Sequence, residues 1–302
     1  MHSSNPLSRK MVIGIAIISV VFVALFFVLS AISRAYAWNY FILILALIAA
    51  IFTILLIYVR RINAVIAAQA DKENAEIRRD LTQNIAHELK TPVASIQGYL
   101  ETLLENPDVD EQTRRQFIER SFAQSQRLTS LLQDISTLNR MDAKAPAYKI
   151  EAVDIYSVVE SIAGDTALQR SKAGVTFNSF LPRPRIIRGD YSLLYGIFRN
   201  LLDNAILYSG PNTTVTLSAS KGEGFWRFVF SDNGAGVPPQ HLGRLFERFY
   251  RVDKGRSRKL GGTGLGLAIV KNAVHVHGGE IEVFNNETGG LRFEFTLKAD
   301  NF

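Results

Sequence analysis

Apolar residues recur at Ile77, Leu81, Ile85, Leu89, Val93, Ile96, Leu100 and Leu103, in steps of three or four. That spacing lays one stripe along an amphipathic helix. A second stripe at Ile118, Phe122, Leu128, Leu131, Ile135 and Leu138 predicts another helix over 112–139, and Asn106-Pro107-Asp108 closes the first. Two antiparallel helices cannot bury such stripes alone, so pairing with a second copy into a four-helix bundle is expected. Beyond residue 148 the pattern changes to mixed elements. Strands are predicted at 148–153, 175–180, 185–188, 215–219, 226–230, 280–284 and 291–297, and helices at 155–169, 190–208 and 267–275. In the last strand Leu291, Phe293, Phe295 and Leu297 alternate with Arg292, Glu294 and Thr296, which describes a sheet with one wet face. Strands with helices on one side give a two-layer sandwich.

Residues 11–33 and 36–59 carry no charge. Each is long enough, at about 35 Å, to cross a ~30 Å hydrocarbon core as a helix. Arg9 and Lys10 before the first and Arg60 and Arg61 after the second outweigh Arg34 between them, so both termini are expected on the cytoplasmic side. The loop between the spans is then only 34–35, too short to enclose a ligand, and the stimulus is expected from the membrane, a partner or the cytoplasm. From Asn39 to Thr91 there is neither glycine nor proline. Nothing stops the second span from continuing through a helical linker at 60–79 to His87, and Pro92 is the first intrinsic bend. The rival is a solvated polar linker over 71–80. The predicted organisation is a segment at 1–10, two spans and this linker, a helical hairpin at 80–142, a hinge at 143–147 and the sandwich at 148–302.

In a chain of 302 residues with net charge +6, the absence of cysteine excludes disulfides, zinc thiolate sites and cysteine nucleophiles. Much of the excess charge flanks the spans or falls in one loop.

His87 lies ~200° around the helix from Ile85 and Leu89, so it faces away from the stripe. Glu88 is its neighbour and Thr91 follows one turn on. Asn200 and Asn204 are spaced to project from one helix face, and Asp232-Asn233-Gly234-Ala235-Gly236 leaves a strand in a sharp turn. Gly262-Thr263-Gly264-Leu265-Gly266 opens a helix, where main-chain amides form an anion site. Between these loops lie Phe246, Arg248, Phe249 and Arg251, then Lys254, Arg256, Arg258 and Lys259.

His87 through Pro92 resembles the phosphoacceptor box of the sensor histidine kinases of two-component systems. Residues from 148 onward resemble the Bergerat-type ATP-binding fold that those kinases share with DNA gyrase, mismatch-repair ATPases and heat-shock chaperones. The resemblance implies a homodimeric kinase in the bacterial inner membrane that autophosphorylates His87 from Mg-ATP. The phosphoryl group then passes to an aspartate on the receiver domain of a response regulator. It also implies that Glu88 assists His87 and that Thr91 positions water in a phosphatase reaction. Asn200 would supply an oxygen to Mg²⁺, with Asn204 near the metal and phosphates, Asp232 on the adenine amino group and Tyr208 against the ring. Gly234 and Gly236 would admit the ligand, and the 262–266 loop would hold phosphates. Arg248 and Arg251 would contact phosphates from a lid anchored by Phe246 and Phe249. No nucleic-acid partner is expected, because the flanking glycine boxes already give the lid's positive charge a triphosphate. Leu207 stands where many relatives carry a basic residue. The alternative function is a membrane-anchored, ATP-gated docking protein without phosphotransfer.

Overall fold

The structure, a computed structural model, describes residues 6–32, 37–142, 148–183, 186–253, 255, 262–287 and 289–299. It divides into two units, Met1–Arg78 and Arg79–Phe302.

In the first unit, α1 (Pro6–Ile32) and the opening part of α2 (Ala37–Glu105) are helical. Phe26 and Phe41 meet edge to face at a centroid distance of 5.9 Å, so the two helices touch. Among the described residues one stretch, Tyr40–Val65, is long and apolar enough to cross a membrane, and none of it is buried in protein. The apolar stretch described in α1, Gly14–Val28, is shorter than a span. Of the two expected spans, then, one is matched. It runs past Arg60 and Arg61, because the helix continues unbroken where the sequence charge pattern marked an end. The loop at 34–35 falls outside the described residues.

The second unit holds the rest of α2 and α3 (Glu111–Asp142). Asp110 starts α3 by accepting from the Thr113 amide at 2.9 Å and hydroxyl at 2.7 Å. Tyr99 meets Phe117 at 5.4 Å between centroids, and Glu88 meets Arg127 at 3.5 Å. One number falls as the other rises, so the helices are antiparallel. Helix α2 continues through the buried Pro92. Much of the two stripes has no cover within the chain: Val93, Leu100, Ile118 and Phe122 are exposed.

The sandwich follows. Strand β1 (Ile150–Asp154) pairs antiparallel with β3 (Ile186–Asp190) in a small separate sheet. The main sheet has the order β2-β4-β5-β7-β6: β2 (Val175–Phe180), β4 (Thr213–Lys221), β5 (Phe225–Asp232), β7 (Leu291–Lys298) and β6 (Ile281–Asn285). β2 runs parallel to β4, and the other neighbours are antiparallel. Strict alternation in β7 buries Leu291, Phe293, Phe295 and Leu297. Over this face lie α4 (Ile155–Asp165), α6 (Tyr191–Tyr208) and, beyond the short α7 (Pro239–Leu242), α8 (Gly266–Val276); α4, α6 and α8 each add buried apolar residues to one core. Phe198 of α6 packs edge-on to Phe228, which stacks on Phe295 at 5.1 Å. Two expectations need correction. The predicted helix 155–169 is two helices, α4 and α5 (Ala167–Ala173), parted at the buried Thr166, whose hydroxyl donates to the Ile162 carbonyl at 2.7 Å. The first and third strands do not join the main sheet.

Candidate functional site

His87 is exposed on α2, on the side its register predicted. Its carbonyl accepts from the Thr91 hydroxyl one turn on, at 3.2 Å. Glu88 turns the other way. Its carboxylate has only 13% of its side-chain surface exposed and meets two guanidinium groups, Arg127 of α3 at 3.5 Å and Arg251 at 2.9 Å. A carboxylate so enclosed depends on such charge-assisted partners.

On the sandwich side, Asp190 caps α6 by accepting from the Leu193 amide at 3.2 Å, fixing the register that carries Asn200, Asn204, Leu207 and Tyr208. The Asn200 amide donates to the Gly196 carbonyl at 2.8 Å. Its Oδ1 faces the start of α8, where a Cβ on Gly266 would lie 2.7 Å away. A side-chain oxygen, the amide-rich N-terminus of an eleven-residue helix and a glycine between them suit a metal-bound phosphate. Asn204, Leu207 and Tyr208 follow on α6, half-buried.

Asp232 ends β5 as a buried carboxylate, and its Oδ1 accepts from the Gly234 amide at 2.8 Å. Asn285 holds the turn after Gly236, accepting from the Val237 amide at 3.0 Å and donating to its carbonyl at 2.7 Å. Asn286 donates to the Asp232 carbonyl at 2.8 Å. These two asparagines, which sequence reasoning passed over, keep the Asp232 loop in place. An Asn-Asn pair ending a strand just before Gly289-Gly290 was the available signal. An open groove of about 750 Å³ beside Asp232 lies on the wet face of the sheet, among Thr216, Ser231 and Arg292, away from the helix layer that carries Asn200.

The glycine loop and the lid meet through the main chain. The Phe249 amide donates to the Gly264 carbonyl at 2.8 Å, and Phe249 has φ 62°, unusual for an aromatic residue. Gly264 has φ +73°, and a Cβ there would press within 3.0 Å of the Phe249 backbone. Phe246 is edge-on to Phe293, whereas Phe249 packs with Leu265 and Ile269 against Leu131 and Leu138 of α3. The two phenylalanines between the loops therefore pack in different cores. Lys254, Arg256, Arg258 and Lys259 fall outside the described residues, as does the hinge at 143–147.

The helical hairpin and the sandwich are therefore in contact, and their polar groups pair across the seam. The Thr263 hydroxyl donates to Asp134 of α3 at 3.0 Å, Arg248 meets Asp142 at 2.8 Å, and the Arg140 guanidinium donates to Ser192 at 2.9 Å. Burial drives the Asp134 carboxyl up to about 6, with the nearby Asp203 charge adding to the shift against the Thr263 hydrogen bond. Asp203 is itself raised by burial, opposed by its 2.8 Å pair with Arg199.

Two sequence families match. Residues 77–144 fit the His Kinase A (phospho-acceptor) domain, and residues 189–301 fit the histidine kinase-, DNA gyrase B-, and HSP90-like ATPase. The chain is 35% identical over 237 residues to the sensor-like histidine kinase SenX3 of Mycolicibacterium smegmatis, a match that takes in 78% of this chain and 62% of that protein. The chain belongs to the two-component sensor histidine kinases. Full-length ShkA in complex with AMPPNP is similar in structure, with a TM-score of 0.54 and 28% identity over 72% of this chain and 45% of that one. The histidine kinase ThkA, solved in complex with the response regulator protein TrrA, shares the fold at a TM-score of 0.60 and 18% identity, over 76% of this chain and 64% of that one. The chain spans just over half the length of several other curated relatives.

Within this histidine kinase Asn200 faces Gly266 at the start of α8, which Gly262, Thr263, Gly264 and Leu265 precede, and Asp232, Gly234 and Gly236 lie at the end of β5 and in the loop after it. Arg248 and Arg251 sit on the hairpin carboxylates Asp142 and Glu88. Arg127, Asp134 and Asp142 were not singled out from the sequence. Their only signal is a place on α3 four residues from Leu131 or Leu138, one helical turn along the buried stripe.

Proposed function

We propose that this chain is a membrane-bound histidine kinase that transfers the γ-phosphoryl group of ATP to His87 and then to an aspartate of a response regulator. The observation that carries the reading is the pairing of an exposed His87 with a lid that reaches its neighbour: Arg251 touches Glu88 at 2.9 Å. An unprotonated ring nitrogen of His87 attacks the γ-phosphorus in line, the bond to the β,γ-bridging oxygen breaks, and ADP leaves. Glu88 holds or accepts the proton of the other ring nitrogen, a role that requires its release from Arg251. Asp232 accepts from the adenine amino group, Tyr208 packs on the ring, and Asn204 lies toward the phosphates. The Asn200 oxygen and the loop amides fit a Mg²⁺–phosphate group, and Mg²⁺ when bound neutralises charge on the phosphates.

The exposed stripe residues Val93, Leu100, Ile118 and Phe122 support a homodimer closing as a four-helix bundle. The ThkA complex supports a receiver domain as partner. Thr91, exposed one turn beyond His87, suits the orientation of water in a phosphatase reaction on that regulator. Residues 11–33 and 36–59 act as two spans in the inner membrane with both termini cytoplasmic. The linker at 60–79, helical within α2, carries the signal. A docking protein without phosphotransfer is favoured only by Leu207.

Incubation of the full chain with Mg²⁺ and γ-labelled ATP decides between these two. Label is expected in the unmodified protein and none in His87→Gln, and a purified receiver domain should then remove it. Label persisting in His87→Gln contradicts the assignment.

A further inference from the structure

The groups assigned to ATP phosphates already have anionic or acidic partners in this structure. Arg251 is almost fully enclosed, with 5% of its side chain exposed, and its terminal nitrogen donates to Glu88. Thr263, in the middle of the glycine loop, donates to Asp134, and Arg248 pairs with Asp142. All three carboxylates come from the helical hairpin. Between them runs an apolar seam in which Leu131 and Leu138 of α3 cover Leu265 and Ile269 of α8. A triphosphate entering the loop needs the same hydroxyl and the same guanidinium groups, and a cation cannot serve two such anions at full strength.

We propose that the hairpin carboxylates Glu88, Asp134 and Asp142 stand in for the phosphates of ATP, so that the closed contact between hairpin and sandwich competes with nucleotide. The inference rests on the reading of the 262–266 loop as a phosphate site. Glu88 gives the arrangement a further consequence. The residue that assists His87 is occupied as long as Arg251 is withheld from phosphate, so one closing motion disables donor and acceptor together. Nucleotide binding frees both.

The two kinds of contact contribute unequally. The apolar seam favours closure under all conditions. Asp134 is a carboxylate taken out of water, a costly environment for its charge, so the ionised group weakens the closure that its hydrogen bond directs. A neutral isostere at 134 keeps an acceptor for Thr263 without that cost and holds the seam shut more firmly. A polar residue at 131 opens it.

The test uses the full chain in detergent and titrates it with Mg²⁺ and AMPPNP. Leu131→Asn is expected to bind the analogue about fivefold more tightly than the unmodified chain, and Asp134→Asn about fivefold more weakly, following the fraction of open molecules. Opposite shifts from two substitutions in one face of α3 are not the signature of misfolding. If the unmodified chain binds AMPPNP and both variants stay within about twofold of it, or if Asp134→Asn binds more tightly, the proposal is overturned while the ATP reading stands. If none of the three binds, the ATP reading itself fails and the proposal with it.

Discussion

The sandwich and the helical hairpin are both amphipathic in sequence, yet only the sandwich closes on itself. Phe228, Phe230, Phe293 and Phe295 sit under α4, α6 and α8 with almost no exposure. The hairpin, by contrast, buries Leu131 and Leu138, and those two face α8 of the sandwich, while Ile118 at 53% and Phe122 at 64% exposure lie open. A layer of three helices can cover a sheet face, but two helices cannot cover each other's stripes. Stability therefore belongs to the sandwich. The hairpin keeps surfaces for exchange: one for a second copy, and one that the sandwich occupies in the closed arrangement.

The sharpest way to break that contrast is to hollow the sandwich core. Phe228→Ala removes a ring packed on Phe198 and Phe295 and should cost about 3–5 kcal/mol, measured by urea unfolding of the full chain. Phe122→Ala should cost less than about 1 kcal/mol in the same measurement at high dilution, because its ring has little to lose within one chain. If the two losses match, the division fails. Smaller, but still inside the sandwich, is Asp190→Ala, which removes the cap of α6 and should cost about 1–2 kcal/mol. On the hairpin, Phe122→Asp should leave nucleotide binding unchanged and shift sedimentation from dimer toward monomer. A variant that remains dimeric would place the dimer contact elsewhere.

The weakest effect expected is on pH. Asp134 has its carboxyl raised to about 6 in the closed contact, where Asp203 of α6, paired with Arg199, and the Thr263 hydroxyl face it. A raised carboxyl means the closed form holds the proton more tightly. Closure is thus favoured below the ordinary carboxylate range and loses that advantage as pH rises through about 6. AMPPNP affinity should weaken severalfold between pH 7.5 and 5.5 in the unmodified chain, by roughly the population shift that protonation allows. The same titration should be flatter in Asp134→Asn, and an equal slope in both would remove Asp134 from the account.

The sequence was most readable where one element decides a residue's neighbours. The register of α2 placed His87 outward and Leu89 inward, and the alternation in β7 placed its four apolar side chains without further help. The start of α6 near residue 190 was legible because its cap, Asp190, acts over three residues. Legibility ended where contacts are long-range. Pairing β1 with β3 apart from the main sheet depends on the whole layer, and the break at Thr166 depends on a hydroxyl reaching back one turn. Asp134 meets Thr263 across 129 positions in the chain, a distance no local pattern spans. Leu131 and Leu138 are buried, as their stripe implied, against Leu265 and Ile269 of α8 as well as Leu89 of α2, since a stripe reports that a face is covered and not by what. The membrane segments were legible in part. Composition marked both, and among the described residues only Tyr40–Val65 passes as a span.

Mass mapping after brief incubation with Mg²⁺ and ATP tests the central claim most directly. Peptides from the full chain, kept at alkaline pH to protect a phosphorus–nitrogen bond, should carry one phosphoryl group, with the fragment series placing it on His87. Modification of a serine, threonine or other histidine, or no modification in protein that binds nucleotide, would contradict the account.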